Sequence, residues 1–426
     1  MDFESWWLIF LPLLFALGWM AARFDFRHML SETRNLPDSY FKGLNFLLNE
    51  QPDRAIDAFV EVAKLDPETT ELHFALGSLF RRRGEMERAI RVHQTLLSRA
   101  DLPVSQREHA QLELAQDFLK AGMLDRAEEL FAMLKDTTYA LPSLRALIRI
   151  YESSHDWPKA IEAVKTLGKL VDEPVPQLVH YHCELAQAAL SGKPPALDRA
   201  EQALQEAAKS AEVSGAKAGS AAYARIEMLG AMLCVARGDA AGQRARLRAV
   251  LNEAPEFAGL VGQALMDNYT AAGQSAEGLD LLRAHHALYP SLDLFNIVFR
   301  ELRSQQGVDA AWVFARESLE RHPSLLGLDR LLEAELAPVK VSPAAVAGST
   351  LPSSPGSVIA PSVLPQPGVL AGPDLELLRR LIHRHTQRLD RYECRQCGFQ
   401  ARRFYWQCPG CNAWETYQPR RLEELQ

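Results

Sequence analysis

The sequence predicts a mainly α-helical chain: one N-terminal transmembrane helix, a long stack of helical hairpins, and a small C-terminal domain built on metal ligands. Three observations carry this reading. Residues 5–22 hold no charged side chain. Small and aromatic residues recur 34 positions apart early in the chain. Four of the six cysteines fall in two Cys-x2-Cys pairs between positions 394 and 411. At 426 residues the chain exceeds what one core fills, so more than one folded unit is expected. A net charge of −7 argues against bulk attraction to nucleic acid.

The apolar stretch "SWWLIFLPLLFALGWMAA" spans roughly 27 Å as a helix, enough for a hydrocarbon core. Trp6, Trp7 and Trp19 stand at its two ends, where indoles favour the interface. Asp2 and Glu4 precede it, which does not suit a cleavable signal peptide, so a retained anchor is expected in residues 1–28. Arg23 and Arg27 follow it, which places the bulk of the chain in the cytoplasm and the N-terminus on the outer side of the membrane.

The repeat signal begins with Gly43 and Gly77, Phe46 and Phe80, and Ala55 and Ala89, each pair 34 residues apart. Small residues at two fixed places, with an aromatic three after the first, form the tetratricopeptide pattern of paired helices. Ala115, Phe118, Gly122, Ala127 and Phe131 keep it in register. Tyr151, Ala160, Ala200, Gly230, Tyr269, Gly273 and Pro323 continue it with more variation. About eight hairpins are expected within a solenoid over residues 36–337, degenerate from about 195 to 255. Such stacks offer grooves for peptides or helices. No nucleotide-binding, hydrolase or zinc-protease motif is present. His73, His93, His180, His182, His285 and His286 read as packing or solvated residues rather than ligands, and Cys183 and Cys234 as small buried hydrophobes. Charge runs such as "FRRRGEMER" read as solvated turns.

Residues 338–373 contain eight prolines, one base and no acid, a composition for a mobile tether rather than a packed element. A basic amphipathic helix is expected at 374–389, with Asp374 as its N-cap, docked on the solenoid. Residues 390–426 form the metal domain. Cys394, Cys397, Cys408 and Cys411 make two knuckles that together give a tetrahedral four-sulfur site for zinc or iron. Tyr392, Phe399, Phe404, Tyr405, Trp406, Trp414 and Tyr417 supply its apolar lining. So small a domain cannot hold itself by burial alone, and metal binding provides the folding energy.

The order of parts, with "NFLLNEQPDRAIDAF", "LGSLFRRRGEMERAIRVHQTLL", "AGMLDRAEELF", "YHCELA" and above all "YECRQCGFQARRFYWQCPGCNAWETYQP", resembles the lipopolysaccharide assembly protein B family. The resemblance implies a rubredoxin-like C-terminal domain whose ligands are Cys394, Cys397, Cys408 and Cys411, with iron favoured and zinc the alternative. It implies a non-enzymatic inner-membrane adaptor that brings the lipid A deacetylase LpxC to the protease FtsH, which limits lipopolysaccharide synthesis. Links to lipopolysaccharide transport proteins and an opposing inner-membrane sensor protein are implied too. Two other readings compete. The tail carries six arginines against three acids over residues 390–421, with interleaved aromatics, as in a zinc-ribbon nucleic-acid binder. An iron site could instead make it a rubredoxin-type electron carrier.

Overall fold

The computed structural model describes residues 38–49, 51–65, 69–171, 175–336 and 372–425, together with Phe15, Ala16 and Trp19. Apart from those three, the expected membrane span lies outside the described residues, as does the Pro-rich stretch up to residue 371. Among the described residues no helix is long and apolar enough to cross a membrane. The chain divides into two compact units, Met1–Tyr151 and Glu152–Gln426.

The first unit holds three antiparallel hairpins: α1 (Asp38–Leu48) with α2 (Pro52–Leu65), α3 (Thr70–Arg83) with α4 (Met86–Leu97), and α5 (Val104–Lys120) with α6 (Leu124–Met133). Most of α7 (Ala140–Ser154) follows. The second unit takes the last residues of α7, then α8 (Trp157–Val171) and four hairpins. These are α9 (Gln177–Ser191) with α10 (Leu197–Val213), α11 (Ala221–Arg237) with α12 (Ala240–Glu253), α13 (Ala258–Ala271) with α14 (Ser275–Leu288), and α15 (Leu292–Gln305) with α16 (Val308–Arg321). α17 (Leu325–Leu336) pairs with α18 (Gly372–Thr386). The segment expected to be degenerate therefore forms regular hairpins.

The repeat pattern has a steric basis. The rings of Phe59 and His93 lie against Gly43 and Gly77, and the Arg246 side chain against Gly230. A Cβ at those glycines would come within 2.6, 2.3 and 2.6 Å of the covering side chain. Small residues on the first helix of a hairpin thus let the second approach closely. The turn between the two helices is repeatedly made by a glycine in the left-handed region: Gly84, Gly122, Gly238, Gly273 and Gly307, with φ between 72 and 98°. First helices also pack on the next first helix, α9 on α11 and α13 on α15. Each stack closes on its own apolar core, around Phe59, Leu72 and Phe80 in the first unit and Leu265, Phe295 and Val298 in the second.

Three expectations need correcting. α18 begins at Gly372, so Asp374 lies inside its first turn and is not the cap; Pro373 suits that position because its missing N–H would have no helical partner. Arg81, within the run expected to be a solvated turn, folds inward onto Asp117 at 2.8 Å and onto Glu113. Cys183 is buried, but Cys234 is only half-buried near the end of α11.

Candidate metal centre and its seat on the repeats

After α18 the chain forms a small ribbon. Strands β1 (Tyr392–Glu393) and β2 (Gln400–Ala401) pair antiparallel, and isolated bridges join Cys394 to Tyr417 and Gln407 to Trp414. The first knuckle turns at Gly398, with φ 72°. Its amide donates to the Cys394 carbonyl at 2.9 Å. The second is closed by the Asn412 amide on the Cys408 carbonyl at 2.8 Å.

These turns bring the four sulfurs together, all within 4.8 Å of one another. Cys394 to Cys411 is 3.8 Å and Cys397 to Cys408 is 3.6 Å. For sulfurs about 2.3 Å from a central ion, the edge of a tetrahedron is about 3.8 Å, so the quartet is dimensioned for one tetrahedral ion. The Gly410 amide donates to the Cys408 sulfur at 3.4 Å, and the Thr416 hydroxyl lies 3.2 Å from the Cys394 sulfur. As thiols, Cys394 and Cys411 differ. Burial pushes Cys394 up, but hydrogen bonds from Thr416 and the knuckle backbone outweigh it and hold it at about 6. Burial pushes Cys411 up to about 12. Ligation would therefore displace protons unevenly around the set. Cys394 and Cys408 are buried, Cys411 is half-buried and Cys397 faces solvent.

The expected aromatic lining divides three ways. Tyr392, Phe404 and Tyr417 pack around the buried cysteines. Phe399 and Tyr405 are exposed, at 43% and 38%. Trp406 and Trp414 point away from the sulfurs and onto the repeats. Trp406 stacks on Phe257 at 5.7 Å, and Trp414 stacks on His180 and meets Trp157 and Tyr181 edge-on. Between the two indoles sits Arg225 of α11, 5.5 Å from each ring and itself 1% exposed.

Arg225 is a buried cation and needs partners. Its guanidinium donates to Glu184 and to Nδ1 of His180, the latter at 3.2 Å. With Nδ1 accepting, the His180 proton sits on Nε2 and is donated to Glu415 of the ribbon at 2.8 Å. Burial, with Arg225 alongside, holds the His180 pKa below its usual value, consistent with this neutral tautomer. The hydrogen bond from His180 in turn holds Glu415 below the usual carboxylate range. The Trp414 indole N–H donates to Glu152 at 2.8 Å.

A second anchor lies on α15. Asp293 accepts from the Tyr392 hydroxyl at 2.6 Å and from the Arg421 guanidinium at 2.8 Å, while that guanidinium covers the Tyr392 ring at 4.1 Å. The last residues then cap two helices. Glu424 accepts from the Leu292 amide at 2.9 Å, and Glu423 from the Leu325 and Leu326 amides and the Ser324 hydroxyl. α18 adds His383 on Asp329 at 2.8 Å. The expected docking of this helix is thus found, and the ribbon docks with it.

None of His180, Glu184, Arg225 or Asp293 was singled out as a site residue from the sequence. One signal was available: Arg225 is the one cation in the run "AAYARIEMLGAMLCVA", which is apolar apart from it and Glu227, and burial there demands a partner. The expectation for His180 as a packing residue holds, but what it packs against is the ribbon.

Paired-helix repeats with a four-cysteine ribbon seated on the later ones define a tetratricopeptide-type protein with a built-in metal site of rubredoxin type. Residues 392–419 match the family described as rubredoxin metal binding domain, and residues 72–108 match tetratricopeptide repeat. The chain is 31% identical over 414 residues to lipopolysaccharide assembly protein B of Escherichia coli K12, covering 96% of this chain and 97% of that one. It is 26% identical over 424 residues to the Haemophilus influenzae protein of the same name, again covering 96% and 97%. The chain belongs to the lipopolysaccharide assembly protein B family.

Proposed function

We propose that this protein is a non-enzymatic inner-membrane adaptor in the control of lipopolysaccharide biosynthesis. Residues 5–22 anchor it, with the N-terminus periplasmic and the repeats cytoplasmic. The repeats present the deacetylase LpxC to the membrane protease FtsH, and tethering both near one surface raises their effective concentration. Contacts with lipopolysaccharide transport proteins and with an opposing sensor protein belong to the same role. Cys394, Cys397, Cys408 and Cys411 hold one metal ion, iron by the rubredoxin likeness and zinc as the alternative. The ion supplies the folding energy of the ribbon.

The observation that carries the reading is the full-length match to proteins named for lipopolysaccharide assembly, with repeats and ribbon both included. The seating of the ribbon supports an adaptor over the competing readings. Trp406 and Trp414, two of the aromatics a single-strand binder would use for base stacking, are committed to Phe257, His180 and Arg225.

The test follows LpxC half-life in the source cell with the wild-type protein, without it, and with Cys394→Ser/Cys397→Ser. The adaptor reading expects a long-lived deacetylase on depletion and no rescue by the double variant. A half-life indifferent to the protein overturns it. Elemental analysis of the purified chain expects one ion per chain and distinguishes iron from zinc.

A further inference from the structure

Beside the docked ribbon lies a groove of about 700 Å³ between α13, α15 and α17. The ribbon closes one end of it with Tyr392 and Arg421, so the groove is incomplete without the metal domain. Its apolar surface comes chiefly from the half-buried Leu260, with Ile297, 5% exposed, beside it. Two polar side chains one helical turn apart on α15 face it with their capacity unspent.

The first is Arg300. It is exposed, and its guanidinium bonds only neutral oxygens, the Asn296 carbonyl at 3.3 Å and the Gln263 side chain at 3.1 Å. Among the described residues it has no carboxylate partner. The second is Asn296, whose carboxamide makes no hydrogen bond among the described residues and offers both donor and acceptor, as a peptide group requires. The other charges of the groove are matched: Arg421 holds Asp293, and Arg330 and Arg421 share Asp390. Asp267, which is not part of the groove lining, accepts from the Gln263 amide at 2.8 Å. The unmatched charge is therefore the positive one of Arg300.

We propose that this groove binds an extended acidic segment of a partner protein, with a carboxylate on Arg300, main-chain amide groups on Asn296 and a neighbouring apolar side chain over Leu260 and Ile297. The guanidinium and carboxylate suit a forked pair of hydrogen bonds, and the apolar surface excludes water from it. The inference goes beyond the adaptor reading: it names the chemistry of the segment and holds whichever protein supplies it.

The test selects a displayed library of random dodecapeptides on the full-length chain in detergent micelles, wild type and Arg300→Glu in parallel. Arg300 is exposed and tied only to neutral groups, so the variant keeps the fold. Wild type is expected to enrich Asp and Glu next to apolar residues, and Arg300→Glu to lose that preference and turn towards Lys and Arg. A selected peptide should lose at least tenfold in affinity when its acids become amides. Identical consensus sequences on both proteins, a consensus without acids, or no enrichment would overturn the proposal. Charge-swapped selection together with an LpxC half-life indifferent to the protein would support the groove and sink the adaptor reading alone.

Discussion

Trp414 lies flat on His180, the two rings 4.9 Å apart and within 6° of parallel, one from the ribbon and the other from α9. The same indole also meets Trp157 and Tyr181 and donates to Glu152, so it ties the ribbon to three further side chains of the repeats. Trp414→Ala should cost about 1–3 kcal/mol in the second unit, less than truncating a fully buried aromatic, because the indole is half-buried. Trp414 is not a ligand, so metal content should stay at the wild-type level. Urea unfolding with parallel elemental analysis separates the two effects. Unchanged stability would mean that the seat is a surface contact only.

Acid should loosen the second unit. His286, buried against Phe295 and Phe314, has its pKa lowered from 6.5 to about 4 by burial, with His322 and His285 adding to the effect. The unfolded chain therefore takes up a proton before the folded one. Stability is fully present above pH 6.5 and falls as pH drops towards 4, by on the order of 3 kcal/mol from this group. His180 is shifted in the same direction, and Glu415 adds a further loss at lower pH. Burial raises Glu424, which runs the other way, but only near the carboxylate range. Denaturant midpoints from pH 7.5 to 4.5 should fall steadily, and His286→Phe should flatten the slope.

What was legible in the sequence is what is local. The cysteine pairs are each closed by a single knuckle, and the glycine pattern reports contact within one hairpin, so spacing alone found both. The seat of the ribbon depends on pairs such as His180 with Glu415 and Asp293 with Arg421, far apart along the chain, and no periodicity reports them. Trp406 and Trp414, expected in the metal lining, lie on the repeats for the same reason. Proximity to the cysteines in sequence suggested a role that the alternation of the ribbon's faces denies them.

The glycine pattern makes a graded prediction. A methyl at Gly77 would meet the His93 ring, which is fully buried and fixed on Asp117 at 2.6 Å. A methyl at Gly230 meets the Arg246 side chain, which is 43% exposed and paired with Glu227 at 3.1 Å, a surface pair that costs little to rearrange. Gly77→Ala should therefore destabilise by about 1–3 kcal/mol. Gly230→Ala should cost little, because alanine favours a helix over glycine by about 1 kcal/mol and offsets the shift of Arg246. Thermal unfolding of both single variants checks the ranking, and equal losses would show that flexibility of the covering side chain does not matter here.

Withdrawing the metal should act at the far ends of two helices. Glu424 accepts from the Leu292 amide of α15 and Glu423 from Leu325 and Leu326 of α17, adding to the caps that Ser291 and Ser324 give, so both N-termini gain from a tail held in place by the ribbon. Each carboxylate satisfies orphan amides and opposes the helix dipole, an effect of about 1 kcal/mol or more per helix. Release of the ion by a thiol-directed mercurial should leave far-ultraviolet circular dichroism nearly unchanged, since the ribbon contributes only two short strands. Hydrogen exchange at the first turns of α15 and α17 should accelerate by tenfold or more, and Cys394→Ser/Cys397→Ser should reproduce the pattern without the reagent. Native exchange rates at Leu292 and Leu325 after release would mean that the aromatic and ionic seat holds the tail without the ion. The metal would then serve the ribbon's own fold and not its grip on the repeats.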